Sequence, residues 1–488
     1  MIRALKTDSL FFIIIFIVFF VFYTQIHPLV PYDTDDWLNL VTSRGFYPSL
    51  NQWNPTKVFP ECLEALVGTF AAFVLSPLLG DYLNALVIAN AATLSFFITS
   101  YLFLSHRLLI HRFNLGKISS FCIIILFALL HFVILRVADE NNEYLWYSHS
   151  CNCTYHYTIS SLFASCLVLW LIDHKDNIFR NNLSNLFLFF VTYLVLLSNL
   201  FSSVILIAYS GAVLIIDLIE TFQKKIFSFR SYSKQNKYYI IVILAWLVVQ
   251  LIEVCGERAN DYGNLHSPFF EGVYATIKNV IRIHKNHVFL YFSLTIFFVA
   301  KLHNWRVLHQ KIFHIGKTQI IIILAFFLSL TYQILLVSRV HPHYIKQSDV
   351  IVAFAVFFMF LLLISLGYLC SNIKYFRVIL PFLIFFAFFE SNTKYNTFKG
   401  VQSDFSINGH ACLEQDRDFI QQVIDADKLG QDTVWINVPQ YRLQDYNWPL
   451  MTTDSQFFGE TLYKHNITSR KIVTIYVPSK NYSPKTKL

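Results

Sequence analysis

The chain has 488 residues, of which 55% are hydrophobic, only 14% are charged and 50 are phenylalanine. Soluble proteins carry about 25% charged residues, so this composition excludes an ordinary soluble protein. The net charge of +8 does not indicate nucleic-acid binding, because the basic residues lie in short loops between apolar runs, where they set the orientation of membrane spans.

Long apolar runs follow one another from Leu10 onward. Runs of about 20 residues cross the hydrocarbon core as helices, and these runs lack the alternation of barrel strands. The sequence therefore predicts an all-α polytopic membrane protein, whose first span is an uncleaved anchor. The eleven predicted spans are residues 10–27, 82–104, 118–137, 157–172, 186–198, 201–219, 238–254, 287–303, 318–337, 350–370 and 378–390.

The distribution of Lys and Arg over the loops predicts the orientation. The N-terminus and the loops around residues 107–117 and 224–237 are basic, and the positive-inside rule places them in the cytoplasm. If residues 61–79 also crossed, every later basic loop would lie outside. This apolar stretch is therefore predicted to dip into the outer side without crossing, and the C-terminal tail is predicted to lie outside.

The composition changes near residue 391, where polar and charged residues return. A helix is predicted over residues 416–427, and short strands over 433–438 and 471–477. The predicted domains are thus a transmembrane domain, residues 1–390, whose first outer loop spans 28–81, and a small soluble α+β domain, residues 391–488.

The first outer loop begins with an acidic cluster of Asp33, Asp35 and Asp36, followed by Trp37. Adjacent carboxylates repel each other, which raises the pKa of one of them. Such a cluster suits a general base or a metal ligand. A solvated acidic loop is the alternative. Trp37 is a substrate-binding candidate that also fits an interface anchor.

Lys57 and Glu61 lie further along the same loop, in the segment Trp53 to Glu61. Lys57 is a candidate phosphate contact, and Glu61 is a candidate second carboxylate. The alternative is an ordinary helix start, with Pro60 in the first turn and Glu61 complementing the helix dipole.

A second outer segment, residues 139–157, is rich in acids, amides and aromatic rings. This composition resembles a carbohydrate site, with Glu143, Trp146 and His149 as substrate-binding candidates. His149, Cys151, Cys153 and His156 form an alternative zinc set. Zinc is disfavoured, because the Cys-x-Cys spacing is not that of the usual knuckle and outward thiols tend to oxidise.

Two further outer segments carry basic residues against the orientation trend. A cation in such a place indicates a local anion, for which a lipid phosphate is the natural candidate. Snorkelling to headgroups is the alternative. The substrate-binding candidates in these segments are Glu257, Arg258, Arg339, His341 and Tyr344.

The order of these features resembles the GT-C superfamily of membrane glycosyltransferases. The resemblance is carried by an acidic pair after the first span, Asp-Asp-Trp at 35–37, by the Trp-Asn-Pro to Phe-Pro-Glu segment at 53–61, and by Gly-Glu-Arg at 256–258. The layout matches along the whole chain. These motifs look most like the bacterial and phage branch that includes serotype-converting O-antigen glucosyltransferases.

The resemblance implies an inverting enzyme of a bacterial inner membrane that acts at the periplasmic face. A polyprenyl-phosphate sugar, with glucose as one candidate, would be the donor, and a glycan or lipid-linked glycan such as O-antigen the acceptor. Asp35 or Asp36, with Asp33 as a third choice, would be the base, and Arg258 or Arg339 would hold the leaving lipid phosphate. Lys57 stands where related sequences would have arginine, which puts bidentate phosphate binding there in doubt. A divalent metal, Mg or Mn, is left open.

Two other functional classes fit a polytopic protein with outward polar loops. A flippase for lipid-linked saccharides would carry polar residues along the middle of its spans, whereas here charge gathers on one side. A large outer loop between late spans would favour a polymerase for lipid-linked saccharides. Membrane lipids are the expected surroundings in every case.

Overall fold

The computed structural model describes residues 2–31, 34–45, 53–134, 144–146, 148, 150–175, 178–179, 181–223, 228–255, 269–284, 296–297, 299–300, 313–340, 342–346, 350–393, 397, 409–439 and 455–479. These residues are mostly helical, with one small sheet near the C-terminus.

Nine helices within the described residues are long and apolar enough to cross a membrane. They identify a multi-pass integral membrane protein, which confirms the predicted fold class at this level. The nine helices are Asp8–Ile26, Pro55–Leu79, Tyr82–Phe113, Cys151–Asp173, Leu200–Gln223, Lys237–Cys255, Gly316–Val340, Val352–Asn372 and Phe376–Thr393.

The remaining helices are shorter or more polar. Lys117–Leu130 and Asn182–Leu196 are apolar but have fewer than 18 residues. The polar ones include the acidic helix, Thr34–Asn39, the tail helix, Gly409–Lys428, and the docking helix, Gln456–Lys464. The others are Phe229–Gln235, Phe269–His284 and the 3-10 turn Pro342–Lys346.

The helices pack around Val352–Asn372, the most enclosed of the nine. Small residues let neighbours approach it closely, as is usual between helices in lipid. A Cβ added at Gly367 would lie 2.8 Å from the Leu109 side chain. Phe376–Thr393 is the least enclosed helix, and its exposed phenylalanines suit contact with lipid.

One end of the bundle is held by contacts between charged and polar groups. Lys117 Nζ lies 2.6 Å from Asp8, and Arg112 donates to the carbonyl of Asp173 at 2.7 Å. Lys317 Nζ lies 2.8 Å from Asp217. These contacts join the start of the first helix to the ends of several later ones.

The other helix termini lie at the opposite end of the bundle. Tyr23 donates to the Trp146 carbonyl at 2.7 Å, and the Phe59 amide donates to the Leu197 carbonyl at 3.0 Å. Tyr82 lies 2.6 Å from His465 Nδ1 of the tail. The helix Pro55–Leu79, called here the loop helix, contacts Leu197 near its start and ends three residues before Tyr82, so both of its ends lie at this side of the bundle.

The tail is a β-α-β unit preceded by the tail helix. Strands β1, Thr433–Pro439, and β2, Val473–Ser479, pair in parallel, with Thr433 opposite Val473. Parallel strands need a crossover, and the docking helix lies in it. The ends of the two strands and the C-terminal end of the tail helix lie within two residues of the bounds predicted from the sequence. The tail helix begins earlier than predicted, at Gly409.

Candidate active site

The acidic helix, Thr34–Asn39, lies between the membrane helices and the tail. Its two acids have different surroundings, because Asp36 is 0% exposed while Asp35 is exposed to solvent. Trp37 is buried, with its ring edge-on to Phe458 of the docking helix at 4.7 Å. The position of this helix therefore depends on the tail.

Asp36 is bound at the N-terminus of the helix Cys151–Asp173, called here the anchor helix. Asp36 Oδ1 accepts from Ser150 Oγ at 2.6 Å and from the Asn152 amide at 2.7 Å. The Ser150 hydroxyl also accepts from the Cys153 amide and caps the helix. Helix N-termini favour negative charge, so these donors stabilise the ionised form of Asp36.

A second buried acid, Glu61, lies at the start of the loop helix beside two cations. Arg44 Nε is 2.5 Å from Glu61 Oε2, and Lys57 Nζ is 3.5 Å from Glu61 Oε1. Cys62 donates its thiol hydrogen to the Arg44 carbonyl at 2.9 Å, which ties the Arg44 segment to the helix. With two cations on one carboxylate, this cluster has a formal surplus of one positive charge.

The anchor helix brings the two clusters together. Asn152 contacts Asp36, and His156, one turn later, has its Nε2 4.0 Å from Glu61 Oε1. Residues four apart share a helix face, with Cβ atoms about 5–6 Å apart. Asn39, one turn after Asp35 on the acidic helix, also bonds Asn152 at 2.9 Å. The exposed acid, the buried acid and the cation pair therefore lie within one region.

A third acid borders this region from the neighbouring helix. Glu253 is buried near the end of Lys237–Cys255, and its Oε2 accepts from the Thr56 amide at 3.5 Å. The residue therefore joins the start of the loop helix to a membrane helix.

Trp146 lies inside the bundle rather than at its surface. It is 2% exposed, and its ring stacks on His131 with centroids 4.0 Å apart. Protein therefore covers the ring in this structure. Its role in sugar binding stays a prediction that requires the segment to open.

Arg339 and Tyr344 lie at the end of a membrane helix and in the 3-10 turn after it. Both side chains are exposed. The neighbouring backbone packs on the helix Phe269–His284, since Asn279 donates to the Pro342 carbonyl at 3.0 Å. Their part in binding an anion stays a prediction.

Several predicted site residues lie outside the described part of the chain, namely Asp33, Glu143, His149, Glu257, Arg258 and His341. Among the residues that are described, no three His, Cys, Asp or Glu side chains are close enough to hold a metal ion. Cys151, Cys153 and His156 thus do not form a metal set in that part of the structure.

The residues of the site that the sequence-based prediction did not single out include Arg44, Asn152 and Asp416. Arg44 belongs to a short polar segment with no motif, and Asn152 acts through its backbone amide. Asp416 of the tail helix had a usable signal, since it shares an apolar face with Cys412, Phe419 and Val423. A carboxyl on a core-facing stripe is a candidate functional group.

No protein-family model, curated protein or solved structure matches this chain.

Proposed function

We propose that the chain is an inverting membrane glycosyltransferase. It would move a sugar from a polyprenyl-phosphate donor to a hydroxyl of a glycan or lipid-linked glycan, at the outer surface of the membrane. The observation that carries the proposal is that the anchor helix contacts both groups: Asn152 bonds the acidic helix that carries the exposed Asp35, and His156 lies beside Glu61, which binds Arg44 and Lys57.

Asp35 is the proposed general base, because a base must reach the proton that it removes. Asp35 is exposed, whereas Asp36 is buried and bonded to the anchor helix. Asp36 would fix the acidic helix so that Asp35 faces the acceptor. The acceptor hydroxyl would lose its proton to Asp35 as its oxygen bonds to the anomeric carbon.

Arg44 and Lys57 are the proposed contacts of the leaving group. The bond between the anomeric carbon and the phosphate oxygen breaks, and the lipid phosphate departs with the electron pair. Fixed cations stabilise the charge that develops on that oxygen. Glu61 holds both cations in place, where they would contact the anionic phosphate of the donor.

The two ends of the bundle support the proposed orientation. Lys117, Arg112 and Lys317 gather at the end that holds the start of the first helix, so the positive-inside rule places this end in the cytoplasm. The loop helix starts and ends at the opposite side, which supports a helix that does not cross. The proposal keeps the eleven predicted crossings, of which the span at residues 287–303 lies mostly outside the described part of the chain.

The catalytic proposal is tested in membranes that contain the full-length protein and a synthetic polyprenyl-phosphate sugar. Asp35→Asn should lower kcat by about 10²–10⁴-fold, as expected for loss of a general base, with donor affinity retained. Arg44→Gln and Lys57→Gln should raise the donor KM. Asp425→Asn removes an exposed acid of the tail and serves as the matched control. Full activity in Asp35→Asn would refute the proposal.

The orientation is tested by labelling single cysteines with an impermeant maleimide in intact cells, on a background without native cysteines. Leu429→Cys lies on the exposed surface of the tail, and Tyr375→Cys lies exposed at the opposite end of the bundle. The first should be labelled and the second protected. The reverse pattern would overturn the orientation.

A further inference from the structure

The tail helix carries a buried acid, Asp416, on the face that packs against the membrane domain. Cys412, one turn earlier, packs with Val30 and Val87. Arg417, the next residue, binds Asp81 at 2.8 Å. Contacts on both sides of Asp416 therefore hold its turn against the membrane helices, and Asp416 itself is 3% exposed.

The surroundings of Asp416 combine burial with nearby acids. Its Oδ2 is buried and has no hydrogen-bond partner among the described residues. Burial, and then the negative charge of Asp36, raise the pKa of Asp416 well above its ordinary value. The carboxyl therefore stays neutral to a higher pH than an exposed aspartate.

Titratable groups from each packed element face this region. Asp36 comes from the acidic helix, Glu64 from the loop helix, Cys151 from the anchor helix and Tyr476 from β2.

Contacts place Asp36 and Asp416 close to each other. Asp36 is bonded to Ser150 and Asn152, on either side of Cys151. Cys151 donates its thiol hydrogen to the Val30 carbonyl at 3.1 Å, and Val30 packs on Cys412, one turn before Asp416. The two aspartates thus border one buried volume.

Asp36 and Asp416 are not equivalent within this volume. Asp36 accepts two hydrogen bonds at the N-terminus of the anchor helix, which stabilise its charge. Two close carboxyls in a low dielectric do not both ionise readily, so one of them keeps its proton. Because the hydrogen bonds to Asp36 favour its ionised form, the negative charge lies on Asp36 and the proton on Asp416.

We propose that Asp416 is a positioning residue for the transfer reaction, a neutral carboxyl that the tail supplies beside Asp36. While Asp416 is protonated, the tail and the acidic helix pack together with one negative charge between them, and Asp35 is held toward the acceptor. Ionisation of Asp416 adds a second charge, which repels Asp36 and weakens this packing. The catalytic part of the proposal rests on the proposed glycosyltransferase function.

The experiment compares wild type with Asp416→Asn in full-length protein, because asparagine mimics a carboxyl that cannot ionise. Wild-type kcat should decline on the alkaline side of its pH profile, and Asp416→Asn should lose this decline. Asp418→Asn removes a second buried acid from the same helix and is the matched control. An unchanged alkaline decline in Asp416→Asn would overturn the proposal, since a merely structural residue would not move it.

Infrared spectroscopy provides a readout that needs no substrate. A protonated-carboxyl band should be present at neutral pH in wild type and missing in Asp416→Asn. The band should titrate at lower pH in Asp36→Asn, where the neighbouring charge is gone. Absence of the band from wild type would refute the carboxyl pair even if sugar transfer is confirmed. Presence of the band without any sugar transfer would uphold the pair and refute the enzymatic function.

Discussion

Gly68 of the loop helix offers a direct test of how the acidic helix is positioned. A Cβ at residue 68 would lie 2.7 Å from the Leu40 carbonyl oxygen and 2.9 Å from Leu40 Cδ2. Leu40 follows the acidic helix, and its amide donates to the Asp36 carbonyl at 3.3 Å. The substitution Gly68→Ala therefore pushes on the backbone that carries Asp35 and Asp36.

The size of the push follows from ordinary contact distances. Non-bonded carbon and carbonyl oxygen atoms are ordinarily about 3.3–3.6 Å apart. The distance between the new Cβ and the Leu40 carbonyl oxygen must therefore increase by about 0.6 Å or more. Overpacking of this kind costs about 1–3 kcal/mol, and the helix propensity of alanine returns about 0.5–1 kcal/mol. The net loss of stability is therefore about 0–2.5 kcal/mol, while a misplacement of about 1 Å costs up to about 10²-fold in rate.

The expected result is a folded Gly68→Ala protein with a kcat lowered by about 10-fold to 100-fold. The assay measures sugar transfer in membranes and thermal unfolding in detergent on the same preparation. Gly211→Ala is the matched control, because its Cβ would meet only Leu328 Cδ1, at 3.6 Å. Wild-type kcat in Gly68→Ala would refute the claim that this contact positions the acids.

Three further substitutions test how the tail is held on the membrane domain. Phe458→Ala removes a buried ring that is edge-on to Trp37, so it should cost about 3–5 kcal/mol and make the tail sensitive to limited proteolysis. Thr461→Val removes the hydrogen bond to the Trp37 carbonyl and should cost about 1 kcal/mol, seen as a smaller fall in Tm. Arg417→Ala breaks a half-exposed pair with Asp81 and should change stability by only about 0.2–1 kcal/mol. A ranking in which Arg417→Ala is the most damaging would contradict the packing described above.

Local signals in the sequence were sufficient for the long apolar helices that the structure describes and for the strands of the tail. Apolar runs predict the membrane helices because hydropathy and length are read from consecutive residues. The break predicted near Ser198 and Asn199 is present, between helices Asn182–Leu196 and Leu200–Gln223. The strands of the tail agree for the same reason, since alternation and turn residues are also local.

Contacts between distant parts of the chain could not be predicted in this way. The change of composition near residue 391 predicts a separate soluble tail. In the structure the tail packs on the membrane domain, where Thr461 donates to the Trp37 carbonyl over a separation of 424 residues. Asp416 lies near Asp36 because the tail packs on the membrane domain in this way. The clustered acids at 33–36 were visible as a pattern, whereas their division into an exposed Asp35 and a buried Asp36 depends on the position of the anchor helix.

The raised pKa of Asp416 also predicts how stability depends on pH. An unfolded aspartate loses its proton near pH 3.9, whereas folded Asp416 keeps its proton to higher pH because it is buried beside Asp36. Between these two values the folded state holds more protons than the unfolded state, so rising pH lowers the free energy of unfolding, by up to about 1.4 kcal/mol per pH unit.

Asp416→Asn removes this dependence, because asparagine does not titrate. Relative to wild type, the variant should therefore gain Tm as the pH rises above about 4, and the gain should level off once folded Asp416 also ionises. Thermal unfolding in detergent over a pH series measures the difference. Asp418→Asn, which also removes a buried acid from the tail helix, provides the comparison. The same pH trend in both variants would show that it does not come from Asp416, and a constant difference between wild type and Asp416→Asn would show that Asp416 is already ionised in the folded protein.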